Sequence, residues 1–127
     1  METHKSQQLD QARAAAKNYP DLVQKLKAVG VTGYVFEVAS QVSIYRYADE
    51  TFLVESHAGK RNLSINPEFD AEKTKQAIIK NQQGLTDFPT FLKETADAGI
   101  KVYDADFEAM VVSYFGTRNV HVEVIPQ

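Results

Sequence analysis

The residue types best equipped for chemistry gather near the C-terminal end of this chain. Asp104 and Asp106 alternate along one short run, Ser113 sits in the next, and His121 and Glu123 alternate in the last. Alternate residues of a strand share a face, so an antiparallel meander of these runs is expected to place all five side chains on one side of a sheet. Carboxylates, a hydroxyl and an imidazole so arranged could perform general acid–base work. A serine nucleophile is not indicated. Ser113 lacks nucleophile-elbow glycines, and the expected pairing sets His121 beside Phe115 rather than Ser113. The competing explanation, the solvated face of a half-buried sheet, accounts for every one of these residues and is preferred.

Glu37 and Asp106 stand 69 residues apart in what reads as a repeated pattern. A pseudo-twofold axis that brought them together would create a pair able to share a proton or hold a hard cation. The plainer reading is a rim carboxylate beside an apolar neighbour, Ile44 in the expected pairing. Tyr34 and Tyr45, matched by Tyr103 and Tyr114, form a second recurring set. Tyrosines on a covered face either pack as core or line a pocket where their hydroxyls orient a ligand. Core is the expectation from burial tendencies, with Tyr45 and Tyr114 kept as binding candidates. The basic loop His57-Ala58-Gly59-Lys60-Arg61 lacks the glycine–lysine spacing of a phosphate-binding loop and reads as a connection. Cysteine is absent and the three histidines are widely separated, so no metal-ligand spacing exists. No catalytic residue, metal or cofactor is therefore assigned.

The elements that must position these residues follow from caps and periodicity. Ser6 to Lys17 reads as a helix with Leu9, Ala12 and Ala16 as its apolar stripe. Asn18 looks like the N-cap of a second, with Pro20 in its first turn, Leu22, Val23, Leu26 and Val29 at helical spacing, and Gly30 as terminator. Strands are expected at roughly 33–39, 42–48 and 51–56. Asp70 caps a helix carrying Ala71, Ala77 and Ile78 that stops at Gly84, and Asp87 caps another with Phe88, Phe91, Leu92 and Thr95 inward and Gly99 at its end. Strands at about 101–107, 110–115 and 120–125 complete the chain.

Two-residue turns at Ser40-Gln41 and Asp49-Glu50 would pair Phe36 with Tyr45 and add Phe52 and Val54 to that apolar face. A three-residue loop at Thr117-Arg118-Asn119 would likewise add Val120, Val122 and Val124 to the face of Tyr103 and Tyr114. Each half then reads α-α-β-β-β. Asn18-Tyr19-Pro20 returns as Asp87-Phe88-Pro89, Gly30-Val31 as Gly99-Ile100, Tyr34 as Tyr103 and Tyr45 as Tyr114, all at an offset of 69. The fold class expected is α+β, internally duplicated, with antiparallel sheet and helices on one face. It forms a single domain over 1–127 made of two pseudo-repeats, about 1–58 and 68–127. Whether six strands make one sheet or two stays open at this level.

With a net charge of -3, the chain offers no basic footprint for nucleic acid or an anionic membrane surface. No stretch nears the roughly 18 apolar residues of a spanning helix, and the polar N-terminus is unlike a signal peptide, so a cytoplasmic location is expected.

The ordered series Gln82-Gln83-Gly84, Asp87-Phe88-Pro89-Thr90-Phe91, Ala98-Gly99-Ile100, Val112-Ser113-Tyr114-Phe115-Gly116 and Glu123-Val124-Ile125-Pro126 resembles the bacterial DUF1398 family, whose members are sometimes labelled phage envelope proteins. Ala28-Val29-Gly30-Val31 and Tyr34 extend the resemblance into the first half. It implies a small bacterial cytoplasmic protein and carries no activity, cofactor or catalytic residue. Two functional readings remain. One is a non-enzymatic binding or interaction protein with a protein or small-molecule partner or as a homodimer. The other is a small hydrolase or isomerase using Asp104, Asp106 and His121, with Glu37 across the pseudo-axis.

Overall fold

A computed structural model of the protein describes residues 2–56 and 62–126; the basic loop 57–61 lies outside the described residues. The helices form where their caps predict. After α1 (Glu2–Ala15), the Asn18 side chain accepts the Asp21 N–H at 2.8 Å and opens α2 (Tyr19–Ala28). Asp70 caps α3 (Ala71–Gln82) through the Lys73 N–H at 3.0 Å, and Asp87 caps α4 (Phe88–Asp97) through the Thr90 N–H at 2.9 Å. Each such cap satisfies one of the orphan donors of a first helical turn and contributes about 1 kcal/mol. Gly99, at φ 85, ends α4 in the left-handed region, and a Cβ there would sit 2.4 Å from the Glu68 carbonyl oxygen. No side chain fits at that position without displacing backbone.

The six strands are β1 (Val31–Glu37), β2 (Val42–Tyr47), β3 (Phe52–Ser56), β4 (Val102–Asp106), β5 (Val111–Phe115) and β6 (Val120–Val124). They form one antiparallel sheet in the order β3-β2-β1-β4-β5-β6. The element order is α-α-β-β-β in each half, and β1 and β4 meet at the centre of the sheet. Their pairing is centred on Val35 opposite Asp104, with Tyr34 opposite Ala105 on one side and Phe36 opposite Tyr103 on the other. The hairpin registers coincide at an offset of 69: Tyr34 faces Tyr45, and Tyr103 faces Tyr114. The helices cover one face of the sheet, and a single core joins Leu9, Val23, Leu26, Ile78, Phe91 and Leu92 to the inward strand residues.

Three loops are longer than turn chemistry suggests, and their lengths decide which side chains face the helices. The β1–β2 loop spans 38–41 rather than two residues, with Gln41 at φ 58. Tyr45 therefore opposes Tyr34 instead of Phe36, and Glu37 opposes Val42 instead of Ile44. A two-residue shift leaves faces unchanged. The β2–β3 loop spans 48–51, with Glu50 at φ 68, and places Leu53 opposite Tyr45. This one-residue slip turns Phe52 and Val54 outward, where both are about three-fifths exposed. The β5–β6 loop spans 116–119, closed by the Gly116 N–H on the Asn119 carbonyl at 2.9 Å, so Val120 opposes Phe115. Val120, Val122 and Val124 consequently lie on the open face, and His121 and Glu123 point toward the helices. Both expectations for those five residues are corrected by the same slip.

Candidate ligand-binding cavity

Between the helices and the sheet lies a cavity of about 490 Å³. That is within the range of roughly 300–1,000 Å³ typical of small-molecule sites. Its floor is a row of four tyrosines on four adjacent strands: Tyr45, Tyr34, Tyr103 and Tyr114. Successive ring centroids along the row are 5.6, 6.2 and 5.4 Å apart. The β-register produces this row, because Tyr34 faces Tyr45 and Tyr103 faces Tyr114 across the two hairpins. Tyr19 and Leu22 of α2 form one wall, and Phe88 and Phe91 of α4 the other. Arg13, Lys17, Gln82 and Thr86 add polar side chains to the lining.

These lining residues are related by the same offset of 69 that relates the hairpins. Arg13 corresponds to Gln82, Lys17 to Thr86, Tyr19 to Phe88, Leu22 to Phe91, Tyr34 to Tyr103 and Tyr45 to Tyr114. The shape is thus contributed alike by the two halves, but the polarity is not. The first-half phenols that line the cavity are satisfied: the Tyr19 and Tyr34 hydroxyls share a hydrogen bond at 2.7 Å, and Arg13 Nη1 donates to Tyr45 Oη at 3.1 Å; Tyr47, whose hydroxyl is buried without a partner, lies outside the lining. Arg13 also grips Glu55 through both nitrogens, at 2.6 and 3.1 Å, and reaches Asp10 at 2.6 Å.

The second half lacks both partners. Phe88 has no hydroxyl for Tyr103, and Gln82 stands where the first half has its guanidinium. Among the described residues, the Tyr103 and Tyr114 hydroxyls make no hydrogen bond, although both side chains are about 95% buried. Thr86 Oγ1, another lining group, is buried without a partner. Buried polar groups are nearly always paired, because an unpaired one costs about 1–3 kcal/mol. The two phenols and Thr86 Oγ1 thus leave unused hydrogen-bonding groups on the cavity lining that a ligand could engage.

Burial pushes the hydroxyls of Tyr19, Tyr34 and Tyr103 well above the ordinary phenol range, and those of Tyr45 and Tyr114 upward as well. All five stay protonated and can donate. The hydrogen bond to Glu55 is the largest influence raising the Arg13 guanidinium, which stays charged.

The acidic constellation of the C-terminal strands is split by the sheet. Asp104 lies on the open face, opposite Ser113 and bonded to Arg46 Nη2 at 3.1 Å. Asp106 accepts the Glu108 and Ala109 N–H groups at 2.9 and 3.2 Å and so caps a turn. His121 and Glu123 are on the helix-facing side, their Nε2 and Oε2 atoms 2.5 Å apart, with the His121 ring 6.5 Å from that of Tyr114. Glu37 accepts from the Ser40 hydroxyl and opposes Val102, whereas Asp106 opposes Gly33 at the other end of the β1–β4 pair. The two carboxylates do not meet. Of the sequence candidates, Tyr45 and Tyr114 line the cavity, as do Asn81 and Gln82, whose amides at the end of α3 could be read either as partners for a ligand or as helix closure; Arg13, Tyr19 and Thr86 join them unforeseen. The 69-residue offset was the signal for these three, once extended back from Asn18 into the preceding helix.

No group of three or more metal-ligating side chains occurs among the described residues. Nor is any helix among them long and apolar enough to cross a membrane. The family described as "Protein of unknown function (DUF1398)" matches residues 7–124, and the chain belongs to it. No curated protein matches the chain.

Proposed function

We propose that this protein is a small-molecule-binding domain whose ligand occupies the cavity above the four-tyrosine floor. The observation that carries the reading is the pair of hydroxyls on the buried side chains of Tyr103 and Tyr114, which line the cavity and make no hydrogen bond among the described residues. Binding is favoured over turnover by the lining itself. Its only charged side chains among the described residues are Arg13 and Lys17, and no carboxylate or imidazole lines it. Acid–base catalysis needs a group that exchanges protons near neutrality, and phenols raised by burial do not. The two halves, read as repeats of one unit, would account for a cavity built on their common axis.

A thermal-shift screen of small aromatic compounds tests this reading. A ligand at about 100 times its dissociation constant adds roughly 2.7 kcal/mol, which is readily seen as a higher melting temperature. Leu22→Trp, which narrows the cavity from the α2 wall, should abolish the shift while the variant remains folded. Shifts that persist unchanged in that variant would remove the cavity as the site.

A further inference from the structure

Resting on the cavity as the binding site, we infer that its ligand is an uncharged, planar aromatic compound that buries a carbonyl or carboxamide oxygen against Tyr103 and Tyr114. The ring-lined volume calls for a flat apolar body: Tyr34, Tyr103 and Tyr114 lie below it, and Phe88 and Phe91 beside it. Aromatic rings of this kind pair in offset or edge-on contacts. The polar atom it carries is fixed by the asymmetry of the two halves. In the first half every phenol of the lining already has a partner, so a ligand oxygen there would have to displace one. In the second half the two phenols make no hydrogen bond among the described residues, and Thr86 Oγ1, also in the lining, is unpaired. An acceptor oxygen on the ligand completes that half.

The charge of the ligand follows from the same substitution of residues. A buried carboxylate needs a cation. The first half supplies two cations, but Glu55 and Asp10 already engage Arg13, and Lys17 is exposed to solvent, so a carboxylate meeting it would not be buried. The second half supplies Gln82, which is neutral. A cationic ligand fares no better, because no carboxylate lines the cavity among the described residues. What remains is a neutral acceptor, with the Gln82 amide and Thr86 hydroxyl available to complement a carboxamide.

The test uses three probes of one shape: naphthalene, naphthamide and naphthoate, the last two substituted at the beta carbon. Binding to the full-length protein should be about tenfold tighter for naphthamide than for either of the others. Replacing both phenols (Tyr103→Phe with Tyr114→Phe) should reduce naphthamide to the level of naphthalene and leave naphthalene itself unchanged. Phe88→Tyr, which restores to Tyr103 the hydroxyl partner that Tyr34 has in Tyr19, should weaken naphthamide selectively. Circular dichroism establishes that each variant is folded.

Naphthoate binding as tightly as naphthamide, an unchanged preference in the double variant, or no binding of any probe would overturn the ligand class. The cavity reading stands or falls separately: probes whose binding survives Leu22→Trp are bound elsewhere.

Discussion

Tyr19 and Tyr34 join their hydroxyls at 2.7 Å across the seam between α2 and β1, whereas the pair that occupies the same places in the second half, Phe88 and Tyr103, has one hydroxyl and no bond. One position therefore separates a satisfied phenol from an available one. Tyr19→Phe leaves the Tyr34 hydroxyl without its partner and should lower the free energy of unfolding by about 1 kcal/mol. Tyr103→Phe removes a hydroxyl that makes no hydrogen bond among the described residues and should change stability by less than about 0.5 kcal/mol. Denaturant titrations of the two variants measure the contrast. Equal losses would mean that Tyr103 is paired after all.

Alkaline pH should unfold the protein in a single step linked to phenol ionisation. All six tyrosines are raised above the ordinary phenol value, burial being the first cause in each. Above about pH 10 the unfolded chain releases these protons while the folded chain retains them. The folded state then binds more protons, so stability is complete below that pH and falls as pH rises beyond it. Phenolate absorbance and circular dichroism, followed together, should change in one coincident transition. Ionisation of the floor tyrosines near pH 10 in a protein that is still folded would contradict the burial described here.

Gly33 is a matter of space rather than of backbone angle. A Cβ there would lie 2.4 Å from both the Ala105 carbonyl oxygen and Arg46 Nη2, because Arg46 reaches across β1 to bond Asp104 and the Ala105 carbonyl, each at 3.1 Å. Gly33→Ala should cost about 1–3 kcal/mol through this overpacking. It should also release Arg46 from Asp104. Thermal denaturation gives the first result and a crystal structure of the variant the second.

The register of β6 is testable by charge. Val122 is about half exposed on the open face, whereas Ile125 is 1% exposed. Val122→Lys should leave stability within about 0.5 kcal/mol, while Ile125→Lys should be severely destabilising, since it buries an unpaired ammonium. Had β6 paired one residue further on, Val122 would face the helices and its replacement would be equally damaging.

Three of the four helices were readable because they are bounded by residues with one dominant local role: Asn18, Asp70 and Asp87 as caps, Gly30, Gly84 and Gly99 at positive φ; α1, expected over Ser6 to Lys17 with no such punctuation, spans Glu2–Ala15. The α+β order followed from the same punctuation. Register was not readable, because loop length is set by residues such as Gln41 and Glu50, which adopt positive φ without being glycine. Alternation fixes a strand's two faces but not which of them meets the core, and for β3 and β6 the more apolar one is outside. That is why Val54 and Val122 read as core, and why His121 read as a neighbour of Asp104. The cavity was half visible in the recurring tyrosines. Its polarity depends on Phe88 and Gln82, whose meaning lies in what Tyr19 and Arg13 do in the other half.

Two-dimensional NMR of the isotopically labelled protein during titration with naphthamide tests the central claim most directly. The account predicts shift changes confined to the amides of Gln82, Thr86, Tyr103, Tyr114 and their neighbours, which in the Tyr103→Phe, Tyr114→Phe double variant require about tenfold more naphthamide. Changes centred on the open face of the sheet, at Val54 or Val122, or no changes at all, would contradict it.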